Sequence, residues 1–268
     1  MTDLENLPVA LAKSGAVKMR LKLDVISGGR VLDVATGSGD FIDLMMKTLK
    51  DYDCFVGIDL SRKDLATAKT RFQGKPVRLK EMNAETLDFD DCSFDTVCMA
   101  YSLHHLKNID KVLSEMRRVL KPGGTFIIQE EFRDGNQTEA QQTNLLQHAW
   151  EAEIDSLLGE THKTTFTKHE IKNYIQKLQL ETVELLESTH PVECLLCERK
   201  LRCDDPKSEG QVSRSLKEIN DNLERLKEIA DPDAVVRLRK AGKELRTRNR
   251  QLGNAHPSVV LVIGRKDR

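Results

Sequence analysis

The chain predicts an α/β fold: a mostly parallel sheet of seven strands, helices on both faces, and a helical insertion before the last strand. Three observations predict it. Up to about residue 190, short apolar runs alternate with amphipathic stretches, which is the pattern of βα units. The β-branched run Val31-Leu32-Asp33-Val34 feeds a glycine-rich turn and then an amphipathic stretch. A final β-type run, Ser258–Gly264, returns only after a long helical interval.

Strands are expected at Arg30–Val34, Cys54–Ile58, Val77–Glu81, Thr96–Ala100, Thr125–Gln129 and Glu181–Glu187. Helices are expected over Phe41–Leu49, Lys63–Phe72, Ile109–Leu120 and Lys168–Leu178. Lys121-Pro122-Gly123-Gly124 reads as a breaker that ends one helix and starts the next strand. From Ser213 to Ala230 a helical stripe is formed by Leu216, Ile219, Leu223, Leu226 and Ile229. Asp231-Pro232 interrupts it, and a second helix follows from Ala234 to about Arg250. That helix is basic, with Arg237, Arg239, Lys240, Lys243, Arg246, Arg248 and Arg250 opposed only by Glu244. The expected division is a domain of residues 1–190 plus 257–268, and a helical insertion over 191–256 that caps the cleft or forms a homodimer contact.

Composition narrows the function. Charged residues are 32% and hydrophobic residues 39% of the 268, the balance of a soluble domain. The longest aliphatic run, Val259–Ile263, is far shorter than the ~18 residues of a membrane span. Asp3 and Glu5 near the N-terminus do not suit a signal peptide, so a cytoplasmic protein without membrane contact is expected. With 42 basic and 43 acidic residues the net charge is −1, so the whole chain is no polyelectrolyte for nucleic acid. Cys54, Cys92 and Cys98 sit in or near apolar runs. Cys194, Cys197 and Cys203 follow His190 and have zinc-ligand types, but the second half of a zinc pattern is missing, and no metal site is expected.

The glycine turn carries the chemistry. It reads Ala35-Thr36-Gly37-Ser38-Gly39-Asp40-Phe41, where glycines allow close backbone approach and a helix N-terminus offers N–H groups. Asp59 ends the second strand twenty residues after Gly39, where an acid accepts both hydroxyls of a ribose. Asn83-Ala84-Glu85 follows the third strand, where a side-chain amide reads an adenine edge. A dinucleotide fingerprint wants a third glycine where Ile42 stands, and no Gly-Lys-Ser/Thr follows for a P-loop. Asp33, just before the turn, holds an ammonium but repels a pyrophosphate. A ribose, an adenine and a cationic amino-acid end together describe S-adenosyl-L-methionine.

These residues resemble the class I S-adenosylmethionine-dependent methyltransferases, in particular the small-molecule group of ubiquinone and menaquinone biosynthesis enzymes. Five segments match in order: Val31 to Phe41, Gly57-Ile58-Asp59, Asn83-Ala84-Glu85 with Ser93-Phe94-Asp95, Leu103-His104-His105-Leu106, and Arg118 to Gly124. The resemblance implies a Rossmann-like fold and a transferase that leaves S-adenosyl-L-homocysteine as product. It implies that Asp33, Ala35, Gly37 and Gly39 line the methionine end of the cofactor. Asp59 and Leu60 would take the ribose and one adenine face, Asn83 and Ala84 the adenine edge, and Tyr101 and Ser102 would flank the sulfonium. The sequence departs from the commonest pattern in Ala35, where glycine is frequent, and in Asn83, where aspartate is frequent.

On the acceptor side, candidates for a base are His105, Glu130, Glu131, His148 and His162. His162 and Glu130 are selected as catalytic candidates. An exposed strand-end carboxylate is the competing reading of Glu130, and a loop-fixing role that of His104 and His105. Trp150, the single tryptophan, reads as a core or interface anchor. Enzymes of this class that methylate amino groups of nucleic acids carry Asp/Asn-Pro-Pro-aromatic after strand four; here the place reads Ala100-Tyr101-Ser102-Leu103. The expected acceptor is therefore a small molecule. The alternatives are a protein or RNA docked through the basic helix 234–250, or a non-catalytic cofactor-binding module.

Overall fold

The structure, a computed structural model, describes residues 9–196 and 205–268. In chain order its strands are β1 (Arg30–Val34), β2 (Cys54–Asp59), β3 (Val77–Glu81), β4 (Phe94–Ala100), β5 (Leu120–Glu131), β6 (Thr182–Ser188) and β7 (Val259–Arg265). Its helices are α1 (Val9–Lys13), α2 (Ala16–Leu23), α3 (Asp40–Thr48), α4 (Arg62–Arg71), α5 (Ile109–Val119), α6 (Glu139–Leu157), α7 (Lys168–Gln176), α8 (Glu193–Leu196), α9 (Glu209–Arg225) and α10 (Pro232–Leu252). The chain forms two compact units. One comprises Val17–Glu130, His169–Glu187 and Val260–Arg268; the other comprises Met1–Ala16, Glu131–Lys168 and Ser188–Val259.

The first unit is built on the seven-stranded sheet, in the order β3-β2-β1-β4-β5-β7-β6. Its strands β1 to β5 are parallel. β7 runs antiparallel to β5, because Phe132 N bonds Ser258 O at one end and Gly123 N bonds Lys266 O at the other. The central strands are mostly apolar, as strands covered on both faces are: Val31, Leu32, Phe55, Val97 and Ile127 are all buried, with Asp33 and Thr96 the buried polar exceptions in β1 and β4. α4 begins where the Ser61 hydroxyl accepts the Asp64 amide, and α5 where the Asn108 side chain accepts the Lys111 amide.

Lys121-Pro122-Gly123-Gly124 does not precede the strand but lies inside it. The β4–β5 register slips between Phe94↔Leu120 and Thr96↔Thr125, so these four residues bulge out of the ladder. Gly123 supplies the required φ of 72°, and Pro122, without an N–H, is tolerated because a bulge leaves ladder positions unpaired.

The second unit is helical. Trp150 and Ile154 of α6 share a core with Ile219 of α9, with Leu226, and with Leu238 and Leu245 of α10. Trp150 is 5% exposed and its Nε1–H donates to Leu238 O at 2.9 Å, which makes it a core anchor. Gly242 lets α10 approach: a Cβ there would stand 2.8 Å from Leu223 Cδ2 and 2.9 Å from Trp150 Cζ2. The helical unit is therefore larger than the insertion expected over 191–256. Residues 131–168 belong with it, because the apolar stripe of α9 and α10 is buried against α6. The basic face of α10 is also partly neutralised, with Arg237 2.5 Å from Glu153 and Arg248 2.7 Å from Glu139. Among the described residues no helix is long and apolar enough to cross a membrane.

Candidate active site

The strand order reverses between β1 and β4, and in open α/β sheets the crevice beyond the strand ends at such a reversal is where ligands bind. The turn that follows β1 occupies this place. Its two glycines serve different ends. Gly37, at φ 52°, has nothing within 4 Å of where a Cβ would stand, so its backbone faces open space. Gly39, at φ 87°, has Phe72 Cε2 at 2.3 Å from that position, so it is a packing glycine at the head of α3. Ala35 also adopts a left-handed φ of 58°, a conformation in which glycine would carry no steric penalty.

The turn is anchored on β2. Thr36 N donates to Ile58 O at 2.9 Å, and a Cβ on Gly57 would collide with Thr36 Oγ1 at 2.7 Å. Gly57, the first residue of the Gly57-Ile58-Asp59 segment, is thus a structural partner of the site through this close approach. Asp59 Oδ2 accepts the Gly37 amide at 2.8 Å and Oδ1 accepts the Ser61 amide at 2.8 Å. Each carboxylate oxygen keeps a second lone pair that these amides do not use. Leu60 next to it is 66% exposed, an apolar face beside that carboxylate. Asn83 is exposed, and its Oδ1 accepts the Glu85 amide at 2.9 Å in a local turn that also presents Ala84.

Asp33 is the buried acid of the site. It is 1% exposed, and its Oδ2 has no hydrogen-bond partner among the described residues. Burial pushes its carboxyl up to about 7, against the opposing pull of the Thr36 and Cys98 side chains. The Cys98 thiol stands 3.6 Å from Asp33 Oδ1, and burial with this neighbouring acid pushes the thiol well above its usual range. Cys98 is a site neighbour that the sequence showed only as a buried hydrophobe.

After β4, Tyr101 turns the chain at φ 49°, its N–H on Gln129 O at 2.9 Å and its hydroxyl accepting from Gln129 Nε2 at 2.6 Å. The Ser102 hydroxyl donates to Ala100 O at 2.7 Å. Glu130 is not an exposed strand-end carboxylate: it is 1% exposed, accepts the Leu103 amide at 2.9 Å, and lies 3.2 Å from His104 Nδ1. It fixes the loop after β4, with His104 as its partner. Gln129, which holds Tyr101, carried no sequence signal beyond lying in a strand.

In the helical unit, His162 lies in the loop after α6. Its Nδ1 is 2.6 Å from Asp155 Oδ2, and Asp155 Oδ1 is 2.6 Å from Arg225. Its Nε2 is 3.0 Å from His148 Nε2. Although Asp155 is partly desolvated, His162 and Arg225 hold its carboxyl below the usual range. Of the sequence cluster of cysteines, Cys194 lies in α8, while Cys197 and Cys203 fall outside the described residues.

S-adenosylmethionine fits the first unit. The orphaned, buried Asp33 oxygen suits an ammonium, the open space at Gly37 admits a ligand close to backbone, and Asp59 retains acceptor capacity beside the apolar Leu60.

Comparison with known proteins agrees. A family described as "Methyltransferase domain" matches residues 32–128. The 2-phytyl-1,4-beta-naphthoquinone methyltransferase of Arabidopsis thaliana is 30% identical over 188 residues, covering 66% of this chain and 67% of that protein. The ubiquinone/menaquinone biosynthesis C-methyltransferase of Bartonella bacilliformis is 38% identical over 134 residues, 48% of this chain and 52% of that protein. The match thus spans about half the length of that second relative. A putative methyltransferase from Bacillus halodurans has the same fold, with TM-score 0.57, 18% identity, and coverage of 94% of this chain and 99% of that one. So does Haemonchus contortus phosphoethanolamine N-methyltransferase 2, in complex with S-adenosyl-L-methionine, with TM-score 0.52, 19% identity, and coverage of 97% and 55%. With the cradle at the sheet's switch point and these relatives in agreement, the chain belongs to the class I S-adenosylmethionine-dependent methyltransferases.

Proposed function

We propose that this chain transfers a methyl group from S-adenosylmethionine to a small-molecule acceptor. The observation that carries the reading is the cradle of Asp33, Gly37 and Asp59 at the sheet's switch point, together with likeness to quinone methyltransferases. When bound, the cofactor supplies an electrophilic methyl on a sulfonium. The chain's own work is placement: Asp33 takes the ammonium, Ala35 and Gly37 take the methionine end with Gly39 setting the turn by packing on Phe72, Asp59 and Leu60 take the ribose and adenine face, and Asn83 with Ala84 the adenine edge. Tyr101 and Ser102 flank the reacting centre. An in-line displacement gains much of its rate from such positioning.

Glu130 and His162 are the acceptor-side candidates. Glu130 acts as a positioning residue, holding the loop that carries Tyr101 and Ser102 through the Leu103 amide. His162, oriented by Asp155, is the candidate for contact with the acceptor. The ion pairs of Arg237 and Arg248 with α6 acids favour a small acceptor over a protein or RNA docked on α10. Exposed Leu146, Leu157 and Val236 on α6 and α10 support a homodimer, and a cytoplasmic location completes the reading.

The test is methyl transfer from labelled S-adenosylmethionine to a panel of quinones, phenols and amines, with bulk RNA and protein as further acceptors. Transfer to a member of the small-molecule panel is expected. Label appearing in RNA or protein alone would overturn the acceptor class, and cofactor binding without transfer to any acceptor would favour a binding module.

A further inference from the structure

We infer that Arg118, with Glu115 as its partner, is a positioning residue for recognition of the adenine base: the pair holds the segment after β3 so that Asn83 presents a fixed amide to the adenine edge. Resting on the proposed adenine contact of Asn83, this assignment gives a task to the head of the Arg118–Gly124 segment, which the cofactor cradle does not use.

Arg118 stands in the last turn of α5, with Glu115 one turn before it. All five guanidinium N–H groups are engaged. Nε donates to Glu115 Oε1 at 2.8 Å, and Nη2 donates to Glu115 Oε2 and to Leu87 O, both at 2.8 Å. Nη1 donates to Phe89 O at 2.9 Å and to Asp91 Oδ1 at 2.6 Å. Only the planar fork of arginine has five such donors. Glu115 Oε2 also accepts the Leu87 amide at 2.8 Å, and Arg118 holds the Glu115 carboxyl below its usual range. Both backbone polar groups of the buried Leu87 therefore end on this pair. An exposed ion pair contributes little, but a bidentate fork that also takes up two backbone carbonyls fixes a chain segment.

The pin at Leu87 lies four residues from Asn83. At the other end of the turn, Met82 N donates to the backbone oxygen of Asp59 at 3.0 Å. Between the two pins, Thr86 N donates to Asn83 O at 3.1 Å and Glu85 N donates to Asn83 Oδ1 at 2.9 Å. The Glu85 bond decides which way round the Asn83 amide stands, because a flipped amide would set N–H against N–H. A fixed amide offers its acceptor and its donors in one order. Adenine, with an amino donor beside a ring-nitrogen acceptor, can match that order; hypoxanthine, with an oxygen in place of the amino group, cannot match it as well. Without the pin at Leu87 the turn is held from β2 alone, and the amide loses its fixed bearing.

The test is calorimetric titration of the full chain with S-adenosylhomocysteine and with its deaminated form, S-inosylhomocysteine. The unsubstituted chain should prefer the adenosyl form by about tenfold or more. Arg118→Met should lower that preference by about threefold or more, and Asn83→Ala should lower it too. Asp59→Ala, which acts on the ribose, should weaken both ligands and leave their ratio in place. A ratio unchanged in Arg118→Met but lowered in Asn83→Ala would overturn the role of Arg118 alone. No preference in the unsubstituted chain, or a ratio unchanged in both variants, would remove the adenine contact from Asn83 and the role of Arg118 with it. An equal fall of the ratio in Asp59→Ala would also overturn it, since any loosening of the cradle would then suffice. Should Arg118→Met fail to fold, hydrogen exchange on the unsubstituted chain decides. The Glu85, Thr86 and Leu87 amides should be protected without ligand, and protection gained only with S-adenosylhomocysteine would overturn the assignment.

Discussion

The Asp59 carboxylate accepts the Gly37 amide at 2.8 Å across two strands, so one side chain fixes the glycine turn and still has lone pairs to spare for the proposed ribose contact. Asp59→Ala removes both functions. Cofactor affinity should fall by ~1.5–3 kcal/mol per lost charged hydrogen bond, and the Gly37 and Ser61 amides lose their acceptor. Calorimetric titration with S-adenosylhomocysteine checks this; wild-type affinity would remove the ribose role from Asp59.

Asp33 gives a pH dependence of definite sign. Its carboxyl is raised to about 7, so between about pH 4 and 7 the folded state binds more protons than the unfolded one. Stability from this group is therefore present at low pH and lost as pH rises through 7, a difference on the order of 4 kcal/mol at most. Asp33→Asn should raise Tm relative to wild type increasingly from pH 5 to 8. Cofactor affinity should move the other way, improving in wild type as Asp33 ionises and staying weak and pH-independent in the variant. Parallel melting and binding series at several pH values measure both; a variant less stable than wild type at pH 8 would contradict the burial argument.

The two glycines of the turn should separate binding from folding. Gly37→Ala faces open space and carries only the left-handed backbone cost of ~1–2 kcal/mol, so the fold should persist while the cofactor binds at least about tenfold more weakly as the new methyl enters its space. Gly39→Ala drives a methyl into Phe72, adding an overpacking cost of ~1–3 kcal/mol to the same backbone term. Chemical denaturation of both variants should rank Gly39→Ala as the less stable.

Ala35 sits at φ 58°, where glycine has no steric penalty. Ala35→Gly should stabilise the chain by up to ~1 kcal/mol, about 2–4 °C in Tm for a domain of this class. A lower Tm in this variant would mean that Ala35 contributes packing that outweighs its backbone strain.

Glu130→Ala leaves the Leu103 amide without its buried acceptor, at a cost of ~1–3 kcal/mol. Glu130→Gln keeps an acceptor oxygen and should restore stability. If Glu130 positions the loop after β4, the alanine variant should lose kcat while its cofactor Kd stays within about twofold, and the glutamine variant should recover most of that kcat. Equal loss in both variants would instead point to the charge itself.

The fold was legible because its signals are local. β-branched runs ended by turns gave the strands of the sheet to within a few residues, and the expected Thr125–Gln129 was too short only because a bulge let pairing resume before Gly123. α9 ends at Arg225 rather than Ala230, since a 3-10 turn takes over at Leu226–Glu228. The cradle was legible for the same reason: Asp33, Gly37, Gly39 and Asp59 stand in one strand-turn-helix-strand segment, where spacing along the chain is spacing in the site.

What the sequence could not decide was any relation between distant segments. Asp33 was readable as an acid before a turn, but its neutral tendency comes from burial on the sheet beside Cys98, 65 residues on. Glu130 read equally well as exposed or catalytic until packing enclosed it against Leu103 and His104. The residues 131–168 joined the helical unit because Trp150 and Ile154 complete a core whose other half lies 65 or more residues downstream. His148 and His162 meet only when the loop folds back over α6. Sequence by itself determined strand, turn and cofactor class through short-range pattern; tertiary structure decided protonation, unit boundaries and side-chain pairings, because burial and convergence are properties of the packed chain.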